Sequence, residues 1–480
     1  MTTLIRNLLF FAIILANLAG CTSMNGQETI AEAEHLLTQG ELTKVAKIAG
    51  YILKTKEFPL SEKAKADSVL ELCDRIRKDF SLTDSMVLQQ LIKYDPNVTV
   101  KDLYRLEEEN KLDVRLLDGE KRYFKNCVSN LFLLDQAWMD KKYPKEESKP
   151  NSFTLFKLSH TASIIEKSDS TGKPVNPVRM RLSYTLRVHA NTVPAGETVR
   201  CWMPFPRENH ERQTDVSLIT SDPAIHTISP ETDLQRSVYL EKVAVANEPT
   251  VFRTEIEFTS WGQTIQLTPG MIKAYQKNSP LYKDNTSERP PQIVFNSKIK
   301  SLTNSILQGE TNPLLQVQKI YRWINDSVTW ASALEYSIMP DIPGFVMEYR
   351  HGDCGMQTLL FMTLARYAGI PVKWQSGWML HPKEVNLHDW CEVYYQGIGW
   401  VPVDQSFGLQ NSPDPKIRDF YSSGIDSYRL IVNDDFSQPF TPRKRYFRSE
   451  PYDFQRGEVE WKGGNLYFDK WSWHMDVAYK

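Results

Sequence analysis

The 480-residue sequence predicts an α+β protein, and three observations lead to that class. Apolar residues recur at helical spacing from Glu28 to about Phe80, so the chain begins with a helical region. From Met180 to Val188 apolar and polar residues alternate strictly, which indicates a half-buried strand. Between residues 290 and 436 the two periods are mixed, as is typical of helices packed on an antiparallel sheet.

These patterns divide the chain into six segments. In chain order we expect a signal segment over 1–20, a helical domain over 21–145 with a hairpin near 112–124, a linker over 146–177, a β-sandwich-like module over 178–270, a mixed core over 290–436, and C-terminal strands over 437–480 that pack on the core. The hairpin is predicted from Asp118-Gly119, a pair typical of tight turns, between two short strands. The linker is predicted from a local excess of Lys, Glu, Ser and Pro.

Composition argues against a nucleic-acid partner. Helices followed by a hairpin also occur in winged-helix DNA-binding proteins. The formal charge of this chain is only −2, however, and no basic block interrupts it. We therefore expect a globular protein without a nucleic-acid partner.

The N-terminus indicates export. Arg6 precedes a short apolar run over 8–15, and Leu18-Ala19-Gly20-Cys21 closes the segment. A run of this length is typical of a signal peptide rather than a membrane span. The last four residues resemble the lipobox of bacterial lipoproteins, which implies a lipid on Cys21 and a tether to the cell envelope, at the outer membrane if sorting follows Thr22. The alternative is a general secretory signal in which Cys21 has no role.

The other cysteines predict no disulfide framework. Five remain, and their spacing allows at most two bridges if Cys354 stays free: Cys73, Cys127, Cys201, Cys354 and Cys391. No group of Cys and His has zinc-site spacing, so neither a metal nor another cofactor is implied.

The clearest chemical signal is a cysteine at the start of a helix. Gly352-Asp353-Cys354 leads into an apolar run over 356–368, and Gly369-Ile370-Pro371 ends it. A thiol at a helix N-terminus faces free backbone N–H groups and the positive end of the dipole, so we expect a thiolate. His388 and Asp404 follow downstream, and the order Cys, His, Asp is that of an activated cysteine nucleophile.

Residues 312–408 resemble the transglutaminase-like core, a relative of the papain-type cysteine enzymes. The shared motifs in chain order are Gln318–Trp330, Gly352-Asp353-Cys354, Gly369-Ile370-Pro371-Val372, Gly377-Trp378, Leu387-His388-Asp389-Trp390 and Gly399–Asp404. The resemblance implies that Cys354 is the nucleophile, that His388 moves its proton, and that Asp404 orients His388. Trp330 is either a weak candidate for an oxyanion or substrate contact or a core tryptophan.

The resemblance also implies an activity. We expect an exported, membrane-tethered enzyme that opens amide bonds of peptides or proteins through a thioester, with hydrolysis favoured because water is abundant. Protein cross-linking and a non-catalytic peptide-binding or glycan-binding scaffold remain open alternatives. The expected partners are a peptide or protein substrate and the membrane.

Contact between His388 and Asp404 requires that both side chains lie on the same face of the sheet, and this constrains the turn between them. A two-residue turn at Gly397-Ile398 would leave the two side chains on opposite faces, because side chains alternate along strands. We therefore expect a turn with an odd number of residues, or a bulge.

Several neighbouring residues have simpler roles in this interpretation. We expect an exposed His351 in the loop, Asp353 as a cap of the helix, and Cys391 in the core. Three tryptophans either pack in the core or line a cleft: Trp374, Trp378 and Trp390.

Overall fold

The computed structural model describes residues 29–143, 151–169, 171–382 and 384–480. The expected signal segment over 1–20 and the candidate lipidation site Cys21 lie outside the described residues. Among the helices of the described part, none is both long enough and apolar enough to cross a membrane.

The N-terminal part is helical, as the periodicity predicts. Its elements are α1 (Ile30–Thr38), α2 (Leu42–Lys54), α3 (Leu60–Asp79), α4 (Asp84–Leu91), α5 (Val100–Glu108), β1 (Val114–Leu117), β2 (Glu120–Tyr123), α6 (Cys127–Leu134), α7 (Gln136–Lys142) and α8 (Ser152–Lys167). β1 and β2 form the predicted antiparallel hairpin. Its turn residues Asp118 and Gly119 have φ of 49° and 82°, the left-handed pair that a tight hairpin turn requires.

Helix α8 corrects the linker prediction over 146–177. Asn151 caps the helix by accepting from the N–H of Thr154 at 2.8 Å. Phe156, His160 and Ile164 then recur at helical spacing, and Phe156 and His160 both pack against the ring of Tyr428. The prediction failed because polar residues around this stripe dominate the composition, whereas only the spacing carries the helical signal.

The β-module consists of two sheets around one core, which corresponds to the predicted β-sandwich-like module, and later segments of the chain complete each sheet to five strands. Its strands in chain order are β3 (Val175–Val188), β4 (Thr198–Pro204), β5 (Gln213–Asp222), β6 (His226–Ile228), β7 (Ser237–Val243) and β8 (Thr250–Thr264). Leu186 and Phe252 of one sheet share the core with Trp202 and Leu240 of the other. The apolar residues that alternate over 180–188 are therefore those of β3 that face the core.

The remaining elements form the core region and the C-terminus. In chain order they are α9 (Pro280–Thr286), α10 (Ser297–Leu307), α11 (Pro313–Ser327), β9 (Thr329–Trp330), α12 (Ile342–Tyr349), β10 (His351–Gly352), α13 (Cys354–Tyr367), β11 (Val372–His381), β12 (Glu384–Tyr395), β13 (Gly399–Val403), α14 (Pro415–Arg418), β14 (Gly424–Ile425), β15 (Arg429–Asn433), β16 (Glu458–Trp461), β17 (Gly464–Asn465) and β18 (Trp471–Tyr479). Short 3₁₀ turns lie at 269–271, 336–338, 420–422 and 468–470.

The C-terminal strands complete the sheets of the β-module and also contact the core. β16 pairs with β4, and β18 pairs with residues 180–188 of β3. Trp473 of β18 packs against the ring of Trp378 in the core strand β11. The pairing of β18 covers an edge of β3 that would otherwise expose unpaired backbone groups.

The core sheet has the strand order β13-β12-β11-β15 and is antiparallel throughout. Helix α13 packs against β11 and β12, as predicted, and is buried from Cys354 to Arg366. The helix ends where Gly369 adopts a φ of 82° that other residues rarely adopt. This arrangement places the first residue of α13 against the strand that carries His388.

Candidate active site

Cys354 is the first residue of α13 and lines a cavity of about 260 Å³. Asp353 caps the helix, as predicted: its Oδ1 accepts from the N–H of Met356 at 3.1 Å and from the hydroxyl of Tyr336. The cap fixes where the helix begins and thus where the thiol lies. Cys354 itself is 9% exposed, so a substrate reaches it only through the cavity.

His388 and Asp404 are brought together by the predicted odd-length turn. β12 and β13 pair from Cys391 opposite Val403 to Tyr395 opposite Gly399, which leaves three turn residues over 396–398. With this register both side chains project from the same face. His388 Nε2 lies 2.7 Å from Asp404 Oδ2.

Arg429 is a third member of this group that the sequence did not predict. Its Nη1 lies 2.8 Å from Asp404 Oδ2, and both side chains are almost completely buried. Burial acts to raise the pKa of Asp404, but the His388 ring and the Arg429 guanidinium outweigh it and lower that pKa below its usual range. Asp404 is therefore a carboxylate that holds Nε2 of His388 in its protonated form and leaves Nδ1 as the proton acceptor.

The thiol of Cys354 has a different neighbour from the one expected. Its S–H donates to Asp389 Oδ2 at 3.3 Å, and the N–H of Asp389 also faces the sulfur. Since this N–H belongs to the peptide that joins His388 to Asp389, Cys354 lies beside the strand at the position of His388. Within the part of the chain that the structure describes, no hydrogen bond joins Sγ to the His388 ring.

The resting protonation states also differ from the thiolate expectation. Burial, with the carboxyl groups of Asp389 and Asp353, raises the pKa of Cys354 well above its usual range. Burial lowers the pKa of His388 despite the opposing charge of Asp404. The structure therefore holds a neutral thiol and a neutral imidazole, because desolvation and two adjacent carboxyl groups outweigh the helix N-terminus.

Asp389 and Gln455 are site residues that sequence reasoning missed. Gln455 Nε2 donates to Asp389 Oδ1 at 2.8 Å and to the carbonyl oxygen of His388 at 3.0 Å. It thereby fixes both consecutive residues of β12. The sequence could have indicated Asp389, because it directly follows His388 in a family motif. No motif indicated Gln455, which belongs to the C-terminal segment.

Other expectations had mixed outcomes. Trp330 is 47% exposed and lines the cavity, so it is not a core tryptophan.

His351 is buried rather than exposed as expected, because the β1–β2 hairpin region covers it. Its Nε2 lies 3.3 Å from Asp113 Oδ1. Cys391 is in the core as predicted, and the five cysteines of the described part are all free. The remaining tryptophans are fully buried and pack in the core: Trp374, Trp378 and Trp390.

Comparisons with known proteins found one family model that matches the region of this site. The sequence model of the transglutaminase-like superfamily matches residues 300–405. The YebA protein of Bacillus subtilis, described as uncharacterised, is 23% identical over 171 residues, which is 32% of this chain and 23% of YebA. This chain thus spans less than a quarter of the length of that relative.

Two solved structures are similar over larger shares of the chain. One, from Cytophaga hutchinsonii and described as a candidate cysteine protease, is 16% identical with a TM-score of 0.42, covering 63% of this chain and 91% of that one. The other, the periplasmic domain of TgpA from Pseudomonas aeruginosa, is 15% identical with a TM-score of 0.26, covering 49% and 90%.

The residues matched by the family model contain helix α13 and strands β11, β12 and β13, and with them Cys354, His388 and Asp404. Residues 300–405 of this chain are therefore similar to the transglutaminase-like superfamily.

Proposed function

We propose that this protein is a cysteine-nucleophile enzyme that acts on amide bonds of peptides or proteins through a thioester. One observation carries the proposal: Cys354 opens a buried helix at a cavity, beside the strand on which His388 is bonded to Asp404. A thiol, an oriented imidazole and a buried carboxylate are the parts that acyl transfer by cysteine requires.

The proposed chemistry begins when the Cys354 thiol leaves Asp389 and reaches Nδ1 of His388, which accepts its proton. The thiolate attacks the amide carbonyl, and the tetrahedral intermediate collapses to a thioester as His388 returns the proton to the departing amine. Asp404 stabilises the imidazolium that exists between these two transfers.

The second half-reaction decides between the candidate activities. In hydrolysis His388 removes a proton from water, which attacks the thioester and regenerates the thiol. We favour this acceptor because the cavity opens to solvent. In cross-linking an amine replaces the water, and the products separate the two outcomes. We assign the oxyanion to the N–H of Cys354 and to Trp330, which lines the cavity beside it.

A scaffold without catalysis is the second candidate function. It is favoured by the thiol–carboxyl bond and by the raised pKa of Cys354, which leave the nucleophile protonated at rest. Reactivity of the thiol therefore separates the two functions.

We further propose that the protein is exported and tethered to the cell envelope of a bacterium through Cys21. In a Gram-negative host, we expect palmitate label on the mature protein and recovery with the outer membrane. Cys21→Ser should lose the label and leave the membrane fraction. Release of an unlabelled wild-type protein into the periplasm or medium would contradict the tether.

The first test of catalysis substitutes each of the three candidate catalytic residues in turn. With a peptide library as substrate, Cys354→Ala and His388→Ala should each lower turnover by about 10⁶-fold and Asp404→Asn by about 10⁴-fold. Mass spectrometry of cleavage products, free ammonia and cross-links identifies the acceptor. The matched controls are His474→Ala and Asp476→Asn, which change exposed residues of β18 and should leave turnover unaltered. Turnover that survives in Cys354→Ala would refute a cysteine nucleophile.

The second test asks which group takes the thiol proton. Because Asp389 raises the pKa of Cys354, Asp389→Asn should lower that pKa and speed iodoacetamide labelling of Cys354 at neutral pH. His388→Ala should slow the same labelling. If Asp389→Asn slows labelling and His388→Ala leaves it unchanged, the carboxyl rather than the imidazole is the base. A thiol that is inert in every variant supports the scaffold.

A further inference from the structure

Acids outnumber cations among the residues that line the cavity next to Cys354. Of the described residues that line it, five carry carboxyl groups and one carries a permanent cation; the acids are Glu335, Asp353, Asp389, Glu450 and Asp453. The cation, Arg456, is bonded to Glu450 through its Nε. Within the cavity this pair is neutral, so four acids are left for other partners.

Two of these acids are satisfied by neutral donors. Asp353 accepts from the Tyr336 hydroxyl and from a backbone N–H, and Asp389 accepts from Gln455 and the Cys354 thiol. Neither bond supplies positive charge. The hydrogen-bond donors of Asp353 and Asp389 therefore leave the charge of their ionised forms uncompensated.

Glu335 and Asp453 are the two lining acids whose carboxyl groups make no hydrogen bond or ion pair with another residue of the described part. Asp453 is the more buried of the two and is only 8% exposed. Burial and the nearby Glu450 raise the pKa of Asp453 to about 8 against the opposing charge of Arg456. Burial, together with Asp453 and Asp353, raises the pKa of Asp389 well above its usual range. A buried carboxylate in this position is costly to the fold unless a cation joins it.

We propose that this cavity binds a cationic group of the substrate, an ammonium or guanidinium, with Asp453 as its main acceptor. The group would lie beside the amide that Cys354 attacks, and this part of the inference rests on the proposed function. The cavity volume of about 260 Å³ lies just below the roughly 300–1,000 Å³ of pockets that bury drug-sized ligands, so it suits a smaller group such as a basic side chain or a free amino terminus. A basic side chain and a free amino terminus both carry a positive charge. Peptides that carry only one of the two show which of them the cavity binds.

The test measures binding and needs no turnover. The full chain carrying Cys354→Ala is titrated calorimetrically with three peptide amides of the same length. They are acetyl-Ala-Lys-Ala-amide, acetyl-Ala-norleucine-Ala-amide, and Ala-norleucine-Ala-amide with a free amino terminus. At least one cationic peptide should bind about tenfold or more tightly than the neutral one. The tighter of the two identifies the source of the cation.

The acceptor is tested by a matched pair of charge changes in the same Cys354→Ala protein. Asp453→Asn should remove most of the preference for the cationic peptide, whereas Asp476→Asn on exposed β18 should retain it. Equal affinities for the three peptides, no binding of any of them, or a preference that Asp453→Asn leaves intact would overturn the proposal. Because this protein forms no thioester, the result is independent of whether Cys354 is catalytic.

A second measurement reports on Asp453 without any ligand. The group has a raised folded-state pKa, so the folded protein holds its proton at pH values where the unfolded chain, with a pKa of about 3.9, has released it. Wild-type stability should therefore fall, relative to Asp453→Asn, as pH rises from about 4 to the folded pKa of about 8. The groups within electrostatic range of this carboxyl are Glu450, Asp353, Asp389, Arg456, Arg448 and Tyr336.

Urea unfolding at several pH values measures the difference. The midpoint of Asp453→Asn should exceed that of wild type by a gap that widens up to about pH 8 and then stays constant. Asp476→Asn should show no such widening gap. If Asp453→Asn is instead less stable than wild type, the carboxyl has a structural partner within the protein, and a cation site is contradicted.

Discussion

Consecutive side chains of a strand point to opposite faces, and this rule divides the site at β12. His388 faces Asp404 and Arg429, whereas Asp389 faces the thiol of Cys354. The sulfur lies beside the peptide that joins the two residues, and its partner in this structure is the carboxyl group of Asp389. A register shift of one residue would exchange the two faces and break the bond between His388 and Asp404.

The face that carries His388 is a balanced network of buried charges. Arg429 lies between Asp404 and Asp426, at 2.8 and 2.6 Å, and Asp426 lies 3.0 Å from His381. Helix α8 adds a cation, because Lys157 lies above the Phe407 ring and within electrostatic range of both carboxylates. Removing one partner from such a network typically costs about 3–5 kcal/mol. The face that carries Asp389 lacks this balance, and the imbalance lies where a substrate would enter.

Local signals in the sequence were sufficient for the elements that depend on neighbouring residues. The left-handed pair Asp118-Gly119 predicted the hairpin, and the apolar run that ends at Gly369 predicted α13. The face rule predicted an odd-length turn over 396–398 without any knowledge of the fold. The order of Cys354, His388 and Asp404, joined to the family motifs, located the site within the core. Spacing and turn chemistry act over a few residues, and a sequence displays them directly.

The tertiary structure alone decided which distant groups meet. It paired the C-terminal strands with the β-module, covered His351 with the hairpin region, and brought Gln455 and Asp453 to the thiol from about a hundred residues away. It also reversed the expected charge state of Cys354, because a pKa responds to burial and to neighbours in space rather than along the chain. The sequence by itself predicted the family resemblance of the core, the candidate residues Cys354, His388 and Asp404, and the helix and strands that position them. Only the packed chain determined the surroundings of the thiol, because long-range pairing depends on complementary edges and surfaces that no local spacing encodes.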